Sequence, residues 1–129
     1  MNVRWTARHS TTAIEHITIS NNGTWSDAYQ FGKPDDPTWT LTDMNFELDV
    51  QRNPYDLVPL LSLSTGNGRI IVDDPIQRVL HFNVTAADIQ SHLPPGVYVY
   101  DLVMIDVNNV RTPLMGGNLR VVQGVTYPP

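Results

Sequence analysis

Apolar and polar residues alternate with a period of two along much of this chain. NFELDVQR (Asn45–Arg52) is the cleanest case: Phe46, Leu48 and Val50 share one face, while Glu47, Asp49 and Gln51 share the other. This is the signature of a strand with one face in a core and one in water. RVLHFNV (Arg78–Val84) sets Leu80, Phe82 and Val84 against Val79, His81 and Asn83. TAIEHITIS (Thr12–Ser20) sets Ala13, Glu15, Ile17 and Ile19 against Ile14, His16 and Thr18, and its first face is the more apolar. NLRVVQGV (Asn118–Val125) predicts a closing strand, and TWSDAYQF a short or irregular one. LVPLLSLS is interrupted by Pro59, so its strand is expected to begin at Leu60.

HLPPGVYVYDLVMIDVNNV (His92–Val110) breaks the alternation. Tyr98, Tyr100, Leu102 and Met104 fall on one face, and Val97, Val99, Val103 and Ile105 on the other, interrupted only by Asp101. A strand apolar on both sides belongs in the middle of a sheet. One face is expected to fill a core. The other is expected to be covered by a helix, the N-terminal segment or another subunit.

Turn signals punctuate these runs: Asn21-Asn22-Gly23, the Gly32–Trp39 loop GKPDDPTW, TGNG at Thr65–Gly68, Asp73-Asp74-Pro75 and Asn108-Asn109. Thr85 followed by Asp88 has the spacing of a capping box, and Pro94-Pro95-Gly96 is a stop, so about two helical turns are expected between them. No long helix is present to carry parallel crossovers. The pattern predicts an all-β, antiparallel β-sandwich of about seven or eight strands with one short helix.

The 129 residues suit one domain, read as 13–129 with an N-terminal arm at 1–12. The arm carries Arg4, Trp5 and Arg8 and no acid. There is no cysteine, so disulfides and thiolate metal sites are excluded, and the composition suits a reducing compartment. A net charge of −5 argues against nucleic acid as a partner. No apolar run reaches the ~20 residues of a membrane-spanning helix, and the start lacks the apolar stretch of a signal peptide. The sequons at Asn22 and Asn83 therefore read as chance.

Candidate chemistry is sparse. His9, His16, His81 and His92 show no metal-ligand spacing. Asp35-Asp36 and Asp73-Asp74 each precede a proline, which is ordinary turn chemistry, and neither fits a calcium loop. There is no nucleophile elbow and no phosphate cradle at a helix start. No catalytic residue, cofactor or metal is expected. Exposed rings can stack on sugars, which makes Trp25, Trp39 and Tyr55 candidate platforms of a carbohydrate-binding module.

From Trp39 onward the order of features resembles a known layout. TWTLTDMNFELDVQR, LLSLSTGNGRIIV, VLHFNVTAADIQSHLPPGVYVYDLVMID and MGGNLRVVQGVT are similar to the successive strands of small immunoglobulin-like sandwich proteins from the virions of tailed phages and prophages. They also resemble the N-terminal adaptor domain of siphophage upper-baseplate proteins. LPPGVYVYDL is the most specific piece. The resemblance implies an immunoglobulin-like fold and a non-enzymatic structural protein, an adaptor, baseplate or fibre-attachment component. Capsid decoration or a head fibre is the alternative. Its partners would be other virion proteins and further copies of itself, made in the host cytoplasm and assembled into the virion, with no membrane partner. The expected contact residues are Arg4, Trp5 and Arg8 of the arm with Lys33 and Trp39 of the loop.

Overall fold

The structure, a computed structural model, describes residues 3–6, 13–32 and 38–125. Its elements in chain order are β1 (Val3–Thr6), β2 (Ala13–Ile14), β3 (Ile17–Ser20), β4 (Ala28–Phe31), β5 (Asn45–Gln51), β6 (Leu61–Ser64), β7 (Ile70–Asp74), β8 (Val79–Phe82), α1 (Ala86–His92), β9 (Gly96–Ile105) and β10 (Arg111–Val122). They form an immunoglobulin-like β-sandwich with one short helix. A four-stranded sheet runs β1-β4-β8-β7, and a six-stranded sheet runs β2-β10-β9-β5-β6, with β3 also on β10.

The period-two faces meet between the sheets. Phe46, Leu48 and Val50 of β5 are fully buried, as are Leu80 and Phe82 of β8. Trp25 and Tyr29 pack on Phe82, with ring centroids 5.1 and 5.4 Å apart. Each such side chain stabilises the fold by about 1.5–3 kcal/mol relative to exposure.

β9 is central, antiparallel to β10 on one side and to β5 on the other. Tyr98, Tyr100, Leu102 and Met104 all point into the core. The polar ends of both rings are satisfied: Tyr98 Oη donates to the Pro94 carbonyl, and Tyr100 Oη to the Glu15 carbonyl at 2.5 Å. The outer face divides. Val103 and Ile105 are buried, whereas Val97 is 58% exposed.

The helix starts where its cap predicts. Thr85 Oγ1 accepts from the Asp88 N–H at 3.2 Å. The Asp88 carboxylate turns to Arg69, 3.1 Å away, so only half of the capping box forms. Ile89 and Leu93 enter the core. The helix therefore does not cover the outer face of β9.

The structure departs from the sequence pattern in pairing direction. β1 runs parallel to β4, and β2 and β3 run parallel to β10. The need for a crossover helix is removed because the chain changes sheets between these strands. Asn21–Gly23 and Thr65–Gly68 are turns but not hairpins, since each joins a strand of one sheet to a strand of the other. β10 begins at Arg111, well before Asn118, despite Pro113 and two glycines. A bulge between Pro113 and Met115 absorbs the irregularity. Gly117 is needed for close approach: a Cβ there would lie 2.6 Å from the Glu15 carbonyl oxygen.

The N-terminal arm lies partly on the chain's own sheet, as β1. Residues 1–2 and 7–12 fall outside the described residues.

Candidate functional site

The side chains that could carry chemistry are occupied in structural roles. His81 Nδ1 lies 2.8 Å from the Asp73 carboxylate on the neighbouring strand. His16 Nδ1 accepts from the Asn118 N–H at 3.0 Å. His92 Nδ1 donates to the Asp88 carbonyl of its own helix at 2.8 Å. His9 lies outside the described residues. Among the described residues no three His, Asp or Glu side chains gather as a metal site, and no helix is long and apolar enough to cross a membrane.

Arg78 is the largest buried polar group. It is fully buried, with a left-handed φ of 61° in the β7–β8 turn. Its Nε donates to the Phe31 carbonyl at 2.7 Å, and its Nη1 to the carbonyls of Trp39 and Ile76 at 3.2 and 3.1 Å. The guanidinium also lies 5.5 Å from the Trp39 ring centre. It ties the turn to β4 and to the start of the 38–44 segment.

The unusual surface is at one end of the six-stranded sheet. β5 ends at Gln51, and the chain loops through Arg52–Leu60 before β6. Tyr55, Leu57 and Val58 stand in that loop 88%, 96% and 76% exposed. Exposed apolar side chains usually sit on mobile backbone, but this loop is pinned. Gln51 Nε2 donates to the Asp56 carbonyl at 3.0 Å. Asn53 Oδ1 accepts from the Tyr55 N–H at 3.1 Å, and Asp56 Oδ2 from the Asn53 N–H at 3.3 Å. Pro54 and Pro59 restrict it further.

Two hollows flank the loop. One, of about 160 Å³, is lined by Asp49, Gln51, Pro54, Val99 and Asp101. Asp49 and Asp101 are directly opposite on β5 and β9. Burial, then the neighbouring Asp49 charge, push the Asp101 carboxyl above its ordinary value of 3.8, and Arg111 opposes them. Asp49 Oδ1 accepts from Ser62 Oγ at 2.7 Å. The other hollow, of about 420 Å³, is lined by Pro95, Val97, Arg120 and Val122.

The expected contact residues do not form a described cluster. Arg4 and Trp5 lie in β1 at the edge of the four-stranded sheet. Arg8 and Lys33 lie outside the described residues. Trp39 is half-buried, packed on the core and on Arg78. Of the three candidate sugar platforms, Trp25 is 1% exposed and cannot serve, while Tyr55 stands in solvent. The Tyr55–Val58 protrusion was hidden in the sequence because Leu57 and Val58 read as the start of a strand. The signal that could have found it is the pair of prolines enclosing NPYDLVP.

No family model matches the chain, and no curated protein matches it significantly. Among solved structures, CopC from Methylosinus trichosporium OB3b is similar with a TM-score of 0.46 and 9% identity, over 86% of this chain and 87% of that one. Extracellular domains 3–5 of Drosophila OTK are similar with a TM-score of 0.35 and 18% identity, over 92% of this chain and 36% of that one.

Proposed function

We propose that this chain is a non-enzymatic structural protein of a tailed-phage virion, an adaptor, baseplate or fibre-attachment component that works through protein–protein contacts. The single observation that carries the contact role is the pinned loop holding Tyr55, Leu57 and Val58 almost fully in solvent. Desolvating such side chains against a partner is the main source of affinity in protein interfaces, and aromatic anchors dominate it. A loop already ordered by its own hydrogen bonds loses little freedom on binding. The similarity of LPPGVYVYDL and the strands around it to phage sandwich proteins supplies the virion context. Capsid decoration would use the same contact surface at a different place on the particle.

A carbohydrate-binding role has less support. With Trp25 buried and Trp39 half-buried, the candidate platforms reduce to Tyr55.

Mass spectrometry of purified particles tests the proposal. The chain is expected at a fixed stoichiometry with the other virion proteins, and Leu57→Asp is expected to reduce its incorporation at least about tenfold. Absence of the wild-type chain from purified particles would overturn it.

A further inference from the structure

We propose that two copies of this chain pair about a two-fold axis through the end of the six-stranded sheet, where the Tyr55–Val58 loop leaves it. The inference rests on the contact role proposed above and names a second copy as one partner. A knob and a hollow lie side by side at this end. The knob is Tyr55, Leu57 and Val58; the hollow is the one of about 420 Å³ between Pro95, Val97, Arg120 and Val122. The ladders set their closeness. Gln51, the last residue of β5, is opposite Val99 on β9, and Val97 is opposite Arg120 on β10. The chain leaving β5 therefore emerges next to the strand that forms one wall of the hollow.

That adjacency selects the symmetry. A knob and a hollow on the same face are what an isologous contact needs, because each copy's knob enters the other's hollow and the assembly closes at two. The chemistry of the two parts also matches. The knob is apolar except for Asp56, and Val97 at the hollow is 58% exposed. Arg120 stands exposed at the rim, and none of the ion pairs Arg69–Asp88, His81–Asp73 and Arg111–Glu47 engages it. The two-fold places Asp56 of each copy against Arg120 of the other, so the attraction occurs twice. A lipid surface suits the knob poorly, because Asp49, Asp56 and Asp101 surround it and anionic headgroups would be repelled.

Sedimentation velocity on the full chain, from about 1 to 200 μM, reads the pairing directly. The expected result is a concentration-dependent shift from monomer to dimer mass. Leu57→Asp should weaken the dimer at least about tenfold. Asp56→Lys and Arg120→Glu should each weaken it, while the two together should restore it to within about threefold of wild type. Circular dichroism melts establish that each variant folds; if Leu57→Asp does not, Tyr55→Ser carries the same reading. A monomer at every concentration would overturn the proposal, as would a dimer indifferent to Leu57. So would charge swaps that add instead of cancelling, or a monomer that floats with vesicles through Leu57. A monomer found in particles overturns only the pairing, and a dimer absent from particles overturns only the virion role.

Discussion

Arg111 and Glu47 meet across β9, with Nη2 of one 3.2 Å from Oε1 of the other. They stand on different strands, Arg111 opposite Ile105 from β10 and Glu47 opposite Val103 from β5. Their side chains therefore bridge over the two outer-face residues that are 8% and 7% exposed. This is how a strand apolar on both sides is accommodated. One face fills the sandwich, and half of the other lies beneath the stems of an ion pair. The uncovered half, at Val97 and Val99, is where the candidate contact surface begins.

The cover acts through its stems more than through its charges. Both side chains are about half exposed, 55% and 48%, and an exposed pair contributes only about 0–1 kcal/mol. Arg111→Met should therefore be nearly neutral, whereas Arg111→Ala, which strips the cover, should cost about 1 kcal/mol. Urea denaturation of the two variants checks the difference.

Asp101 should make stability depend on pH in the direction opposite to most carboxylates. Its pKa in the fold is raised, by burial first and then by Asp49, so the folded protein holds this proton more tightly than the unfolded chain does. The group's contribution is most favourable below the ordinary value of 3.8 and is lost as pH rises through the raised one. Asp101→Asn should therefore raise the melting temperature at pH 7, with the gain fading in acid. Thermal melts from pH 3 to 7 would show it, and Asp49→Asn should shrink the effect.

Arg78 should not tolerate lysine. Its fork donates to the carbonyls of Phe31, Trp39 and Ile76 from a fully buried position. Lysine keeps the charge but cannot reproduce that planar geometry. Arg78→Lys and Arg78→Ala should each cost about 2–4 kcal/mol, since buried carbonyls would lose their donors. Chemical denaturation of both variants gives the values.

The edge of the six-stranded sheet at β6 is closed by a single side chain. Asn67 Oδ1 accepts from the Ser64 N–H, and its Nδ2 donates to the Ser62 carbonyl, both at 3.0 Å, as a neighbouring strand would. Arg69 Nη1 adds a second donor to the Ser62 carbonyl at 3.0 Å. Asn67→Ala should open the edge and raise aggregation on heating, because unpaired edges template further pairing. Light scattering during a thermal ramp, against wild type, is the check.

The strands that could be read in the sequence were those with undisturbed alternation, such as β5 and β8. There one face is wholly buried, and the register admits no slip. β10 was legible only in its second half, because Pro113, Gly116 and Gly117 have no strand-like side-chain pattern. The parallel pairing of β2 and β3 was not legible, since direction depends on which sheet the chain enters. Arg78 was not legible as a buried residue, because nothing local distinguishes a turn arginine in water from one that staples three carbonyls. The contact surface was hidden for a related reason: Leu57 and Val58 have strand-like composition but lie in a loop tied by Gln51, Asn53 and Asp56.

The central claim is that this sandwich works by being held against other proteins, with its Tyr55–Val58 loop in the contact. A particle reconstruction resolving the sandwich in place tests it most directly. The account predicts Tyr55, Leu57 and Val58 buried against protein in every copy. A sandwich whose loop projects into solvent in all copies, or a particle with no density for it, would contradict the account.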